Sequence, residues 1–448
     1  MFHHAPHGAA AVVPLDATQN VDPRLIAMFM KKPATVGIQN TVTHHIEPIR
    51  PPTITDTEYI FDLPNTGGAY LDFRNTEMYV KGYLARKDGT RLKPDEKIVS
   101  ANNFLYTLFN SVDIWVGHNQ TEIHIANYPY KCFVQQLERN TIRDPGARRT
   151  QGLWSEWRDP RIDEKTYIDY EISNFRYDWV AESKTMEMLG PLLLGFTDTE
   201  GFMLPACPFR IRFRKSHEAF YTVAGGAGEV TQEYNFVIEK FSLNVLTINI
   251  SPALAPLMDL QTDTAPAVYE FNSLDMKIFS IEQGAVLRRF SRVYENKLPK
   301  KILVAFYTQD SFSGQKTTSP LLTASADIRQ VALSVNGIIL RELNTDFNKD
   351  EYTIAYRKFQ EWLGHSNLPA AVSFTIFKHG YRYFAFNLME NCSGGDCSDD
   401  TISVGTIDIN VTLGKALEEH CVMAVYCEAA EVLEISKERT CRHLKSIF

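Results

Sequence analysis

The chain has 448 residues, 44% of them hydrophobic and 22% charged, and its 46 basic and 54 acidic side chains leave a net charge of −8. That balance excludes a disordered chain and a generally basic nucleic-acid coat, and leaves room only for local basic patches. At roughly 150 residues per domain the length predicts two large domains or about three ordinary ones, and the 12% aromatic content favours sheets. Seven cysteines, an odd number in a long chain, point to a reducing compartment rather than a disulfide scaffold. No run approaches about eighteen apolar residues, so no helical membrane span is expected. The opening Met1-Phe2-His3-His4-Ala5-Pro6-His7-Gly8 lacks the basic-then-apolar order of a secretory signal, so the sequons at Asn119, Asn391 and Asn410 read as chance matches.

Residues 1–55 read as an N-terminal arm, punctuated by Pro6, Pro14, Pro23, Pro33, Pro48, Pro51 and Pro52, with Leu25–Met30 as its one short helical stretch. Glu77–Leu84 reads as a strand closed by the Lys87-Asp88-Gly89-Thr90 turn. Asn102 is placed to cap a short helix carrying Phe104, Leu105, Leu108 and Phe109. Val112–Val116 and Glu122–Ile125 alternate as half-buried strands. Pro129 then opens a helix with Tyr130, Phe133, Val134 and Leu137 on one face. Residues 141–200 break the alternation and read as a long insertion containing Arg143, Arg148, Arg149, Arg158, Arg161, Trp154 and Trp157. Strands return at Phe209–Arg214 and Leu246–Ile250.

A Pro-rich linker with Pro252, Pro256 and Pro266 precedes a second series in the same style. Ile302–Tyr307 and Val331–Val335 read as strands, and Asn336-Gly337 is the strongest hairpin signal in the chain. Tyr352–Leu363 spaces Tyr352, Tyr356, Phe359 and Leu363 as one helical face. Val372–Ile376, Tyr383–Leu388, Ile407–Leu413, Val422–Tyr426 and Val432–Ile435 read as further strands. Without regular alternation of strand and long helix, a doubly wound parallel sheet is not expected. The expectation is a mainly β protein of two tandem β-sandwiches with short helical insertions and long loops, each half large enough for its own core. The boundaries fall at 1–55 for the arm, 56–255 for the first sandwich, 256–270 for the linker and 271–448 for the second.

The search for chemistry returns no catalytic, cofactor or metal residues. A nucleophile elbow is missing; Gly414-Lys415 lacks the rest of a phosphate loop, and His217-Glu218 lacks the second ligand of a zincin helix. Ala224-Gly225-Gly226-Ala227-Gly228 reads as a surface loop, and His44-His45 match no ligand spacing. Cys392 and Cys397, four residues apart around Gly394-Gly395, leave three alternatives open. They form a hairpin-tip disulfide, they join Cys421 or Cys427 in a zinc site or leave calcium to Asp396, Asp399 and Asp400, or they lie in a plain polar loop. The alternating strand with Arg210, Arg212 and Arg214 on one face suits nucleic-acid phosphates, an acidic partner or neighbouring carboxylates.

Several blocks together resemble one viral family. Val99-Ser100-Ala101-Asn102-Asn103-Phe104-Leu105-Tyr106-Thr107-Leu108-Phe109-Asn110-Ser111-Val112-Asp113-Ile114 is followed by Tyr128-Pro129-Tyr130-Lys131. Later come Tyr383-Phe384-Ala385-Phe386-Asn387-Leu388, Gly405-Thr406-Ile407-Asp408-Ile409 and Val432-Leu433-Glu434-Ile435. Their order and spacing resemble the double jelly-roll major capsid protein of Maverick/Polinton elements and adintovirus-like viruses. Asn387 departs from the family's usual Asp, and residues 1–50 and 141–200 match no block.

The resemblance implies two jelly rolls in tandem. It implies a non-enzymatic, hexon-like structural subunit of the virion, forming homotrimeric, pseudo-hexagonal capsomers in an icosahedral shell made inside the host cell. Its implied partners are further capsomers, penton and minor capsid proteins, and an enclosed DNA genome held without tight sequence-specific binding. No cofactor is implied. The rival expectations are a carbohydrate- or ligand-binding β-sandwich, lectin-like or a glycosidase, and a domesticated capsid-derived protein that no longer forms virions.

Overall fold

A computed structural model describes residues 37–63, 67–139, 150–152, 177–225, 227–364, 372–388 and 404–445. The first half supplies β1 Ile38–Ile46, β2 Glu58–Leu63, β3 Tyr70–Arg86, β4 Ile98–Ser100, β5 Phe109–Val116, β6 Thr121–Ile125, β7 Met186–Pro191, β8 Phe209–Lys215, β9 Thr222–Ala224 and β10 Tyr234–Ile250. Strands β4 and β9 pair as a short ribbon, and the other eight form two antiparallel sheets, β1-β10-β3-β7 and β2-β8-β5-β6. The second half supplies β11 Ala267–Ile281, β12 Leu287–Lys297, β13 Lys301–Thr308, β14 Ile328–Val335, β15 Ile338–Asn344, β16 Tyr383–Asn387, β17 Val404–Leu413, β18 Cys421–Ile435 and β19 Cys441–Lys445. Its sheets run β11-β18-β13-β16, with β19 beside β18, and β12-β17-β14-β15.

Counting the eight sandwich strands of either half in chain order, one sheet reads first, eighth, third, sixth, and the other second, seventh, fourth, fifth. This is the jelly-roll order, and it occurs twice. The helices repeat as well. Helix α1 (Phe104–Thr107) precedes β5, α2 (Tyr128–Arg139) follows β6, α3 (Ala255–Thr264) joins the halves, and α4 (Thr353–Trp362) and α5 (Phe374–Gly380) follow β15. Thus α2 and α4 occupy equivalent places, between the fifth and sixth strands of their rolls.

Alternation builds the cores. In β8, Phe209, Ile211 and Phe213 turn inward while arginines turn outward. Inside the first roll, Phe61, Phe109 and Phe213 surround Phe241, with the Phe61–Phe241 ring centroids 4.7 Å apart and Phe109 stacked on Phe241 at 5.1 Å.

The cores are not separate, which differs from the expectation of one core per half. Tyr130, Phe133, Val134 and Leu137 of α2 belong to the second roll's core. In exchange, Tyr269 and Phe271 of β11, Leu433 and Ile435 of β18, and Cys441 of β19 belong to the first. Tyr128 and Cys132 of the same helix stay in the first core, so α2 is shared between the two rolls.

The arm expected over residues 1–55 ends earlier in the structure. Ile38–Ile46 pairs antiparallel with β10, from Ile38 opposite Ile250 to Ile46 opposite Leu243 with a shift of register between Ile38 and Asn40, as the first strand of the first roll. The expected linker 256–270 holds the exposed helix α3 and the start of β11. The expected strand Val372–Ile376 instead enters α5, whose N-cap Ser373 accepts through Oγ from Ile376 N–H at 3.3 Å. Asn102, expected as a cap, accepts from Asn103 N–H at 2.8 Å, and left-handed Asn103 (φ 56°) starts α1. Within the expected 141–200 insertion, β7 completes the first sheet.

Candidate functional site

The alternating arginines of β8 lie on the outer face of the β2-β8-β5-β6 sheet, and the register determines what they meet. Arg210 is opposite Asp62 of β2 and Trp115 of β5; Arg212 is opposite Ile60 and Asp113; Arg214 is opposite Glu58 and Ser111. Arg210 donates through Nε and Nη2 to the two oxygens of Asp62 at 2.6 and 3.0 Å. Arg212 donates through Nε and Nη2 to Asp113 Oδ2 at 2.9 and 2.7 Å, and its guanidinium lies 5.0 Å from the Trp115 ring. Arg214 reaches Glu58 at 3.3 Å and Asp113 at 3.1 Å.

Asp113 is the centre of this network. Its side chain is 2% exposed, and His124 Nδ1 of β6 sits 2.5 Å from its other oxygen. Burial pushes its carboxyl up, but hydrogen bonds from His124 and Arg212 and the Arg214 and Arg212 charges outweigh burial and hold it below the usual carboxylate range. Of the three alternatives for this strand, the geometry is the local network: each guanidinium is matched to a carboxylate.

A second concentration of charge lies where the rolls meet. A cleft of about 320 Å³ is lined by Glu138 and Arg139 of α2, Asp198, Glu200, Glu270 of β11 and Glu428 of β18, among others. Arg139 pairs with Asp198. Desolvation in the seam, with the Glu428 charge beside it, pushes the Glu138 carboxyl up to about 8. A carbohydrate site would want an aromatic platform beside such carboxylates. The aromatic lining this cleft is Phe271, 7% exposed and stacked on His443. Among the described residues no group of three His, Cys, Asp or Glu side chains is arranged to hold a metal ion.

Exposed apolar side chains mark the second roll. Ile338 and Ile339 on edge strand β15 are 75% and 58% exposed, Leu287 of β12 66%, Val404 of β17 73% and Ile354 of α4 68%. In the first roll β1 is exposed along both faces, and α3 has no buried residue. Edge strands with apolar side chains and unpaired backbone are templates on which another chain can pair.

The remaining sequence candidates distribute plainly. His44 Nε2 lies 3.1 Å from Thr247 Oγ1, and His45 Nδ1 2.7 Å from Asn244 Oδ1, both across the β1–β10 pair. His217 caps a short helix by accepting from Ala219 N–H at 3.3 Å. Cys421 and Cys427 are buried in the second core. Cys392, Cys397, Leu25–Met30, and the arginines and tryptophans expected between Arg143 and Arg161 lie outside the described residues. Sequence reasoning missed the exchanged cores and the seam, since their residues are far apart in the chain. No described helix is long and apolar enough to cross a membrane.

No protein-family model matches the chain. An uncharacterised protein of Caenorhabditis elegans is 23% identical over 356 residues, covering 73% of this chain and 79% of that protein. Among solved structures, a chain of the Sputnik virophage superposes with a TM-score of 0.61 at 11% identity, covering 98% of this chain and 95% of its own. A chain of the PBCV-1 virus capsid gives 0.55 at 11% identity, with 93% and 99% covered, and the Faustovirus major capsid protein gives 0.54 at 10%, with 91% and 92% covered. These identities are too low to carry more than architecture. The chain is mainly β, and its fold, two jelly rolls in tandem, is similar to that of viral capsid chains along nearly its whole length.

Proposed function

We propose that this protein is a structural major capsid protein of the hexon type. Three chains form a pseudo-hexagonal capsomer, and capsomers assemble into an icosahedral shell. The observation that carries the proposal is the exact repetition of the eight-strand order, because three chains of two equivalent rolls present six similar units around a three-fold axis. The likeness to capsid chains over 91% to 98% of the sequence supports the role. The resemblance of the sequence blocks supports a shell of the Maverick/Polinton and adintovirus-like kind.

In this proposal the exposed edges and apolar side chains of β1, β15 and β12 are covered by neighbouring chains. The chain does no chemistry of its own and needs no cofactor. Penton and minor capsid proteins complete the shell, which forms inside the host cell. The network around Asp113 and the net charge of −8 fit a body that encloses DNA without binding it tightly. The residues before β1 serve as an assembly arm.

The test is to express the full chain and image it by negative-stain and cryo-electron microscopy. Six-lobed capsomers, alone or in closed shells, are the expected result; isolated two-lobed monomers at every concentration would refute it. A second reading has one observation in its favour, the relative in a nematode: a capsid-derived protein that no longer forms virions. It predicts capsomers that never close into shells under any ionic condition.

A further inference from the structure

The two jelly rolls meet at one further point, where a cysteine from each comes to the same turn. After β18 the chain turns through Ser436–Arg439 and returns as β19, with Cys441 opposite Ile435. This hairpin is stitched to the β5–β6 turn of the first roll. Asn119 Nδ2 donates to the Cys441 carbonyl at 2.7 Å, Cys441 N–H donates to Asn119 Oδ1 at 2.9 Å, and Thr121 Oγ1 donates to the Cys441 carbonyl at 2.8 Å. His118 N–H donates to the Arg439 carbonyl at 2.9 Å, and Arg439 Nε donates to the Pro205 carbonyl at 2.6 Å.

These bonds fix Cys441 against Cys207, from the loop leading into β8. Gly117 N–H donates to the Pro208 carbonyl at 2.9 Å, which brings the residue next to Cys207 onto the glycine that Cys441 packs against, and Cys441 and Cys207 are both buried, 5% and 3% exposed. Gly117 closes the remaining side. A Cβ there would lie 2.6 Å from Cys441 Sγ and 2.6 Å from the Arg439 carbonyl, and its φ of +77° also favours glycine. The other described cysteines, Cys132, Cys421 and Cys427, are buried inside the cores. The juxtaposition therefore joins two thiols from different rolls, held by backbone on both sides.

We propose that Cys207 and Cys441 are a latent disulfide that covalently joins the two jelly rolls when the protein meets an oxidising environment. The Cys207 thiol is lowered: the hydrogen bond from Cys441 outweighs its burial, and the Arg439 charge and the Gly117 N–H favour the thiolate further. The oxidant is a small-molecule disulfide such as oxidised glutathione. The Cys207 thiolate attacks one of its sulfurs, forms a mixed disulfide and releases one small thiolate. Cys441 then loses its proton, attacks the Cys207 sulfur and expels the second. Two electrons pass from the protein thiols to the oxidant, and both protons end on the two released thiols.

The bridge would close a loop from residue 207 to residue 441, a span of 234 residues. A long loop is where a cross-link constrains the unfolded chain most. The pair would stay reduced in a reducing cell interior and close after exposure outside it. This inference goes beyond the shell role and does not depend on it.

The test uses the wild-type full chain, incubated in excess oxidised glutathione and separately in excess reduced glutathione. Each sample is alkylated, digested without reduction and mapped by mass spectrometry. The expected result is a Cys207–Cys441 linked peptide in the oxidised sample alone. The oxidised protein should also gain roughly 5 °C or more in Tm, a gain lost in Cys207→Ser. Recovery of Cys207 and Cys441 as free alkylated thiols after oxidation would overturn the proposal. So would either one linked to a different cysteine, or a bridge confined to Cys392 and Cys397.

Discussion

At the scale of single residues, charges are paired across the outer face of the first roll's second sheet. Asp113 is a buried carboxylate that holds two arginines and a histidine on one sheet face. Asp113→Asn removes the charge while keeping the shape, and leaves Arg212 and Arg214 short of a counter-ion. We expect it to cost about 2 kcal/mol in urea unfolding, less than a fully buried pair because the arginines are partly exposed. Its carboxyl is held below the unfolded value, so its contribution is present above the unfolded carboxylate pKa and is lost as pH falls through the folded value. The gap between wild type and Asp113→Asn should therefore narrow below about pH 4. Glu138 has the opposite sign. Its carboxyl is pushed up to about 8, so between the unfolded value and 8 the folded state holds a proton that the unfolded chain has released, and stability falls as pH rises. Glu138→Gln should remove that slope, gaining roughly 2–4 °C in Tm at pH 8 and little at pH 5. None of this was legible in the sequence. The alternation of Arg210, Arg212 and Arg214 is plain, but the carboxylates that answer them come from strands 99 to 156 residues away.

At the scale of elements, local signals were read well where the local chain decides the structure. Asn336 and Gly337 take φ of 52° and 82°, as the hairpin signal requires, and α2 and α4 follow their apolar spacing. The misses have physical causes. Strand β1 is an edge strand exposed on both faces, so Ile38–Ile46 carries no hydrophobic alternation to read. The five alternating residues Val372–Ile376 are too few to define a strand against a serine N-cap. Two predictions belong here. Phe133 sits in the first half's sequence but packs in the second half's core, so Phe133→Ala should cost about 3–5 kcal/mol and raise hydrogen exchange in β13 and β18. Exchange increases confined to residues 38–250 would contradict the exchanged-core description. Deleting residues 1–36 should leave the Tm within about 2 °C, whereas deleting 1–50 also removes β1, bares the β10 edge and should lower it by more.

At the scale of the whole molecule, the chain is one architectural unit used twice and then interlocked. Each roll lends apolar side chains to the other's core, which fixes their relative placement more firmly than a linker would. The duplication was legible in the sequence as two strand–helix–strand series around a proline-rich boundary. The exchange of core residues was not, because it arises only when both rolls are folded together. Part of the apolar surface that the isolated chain leaves open to solvent lies on edges: β15 with Ile338 and Ile339, both faces of β1, and the Leu287 end of β12. A closed three-fold ring buries such edges without leaving new ones, whereas an open chain of contacts does not. The central proposal is that three chains form one capsomer, and the mass of the purified full-length protein in solution tests it most directly. Light scattering coupled to size-exclusion chromatography should give about 153 kDa, three times the 51.0 kDa chain. A mass that stays at 51.0 kDa as the concentration is raised would contradict it.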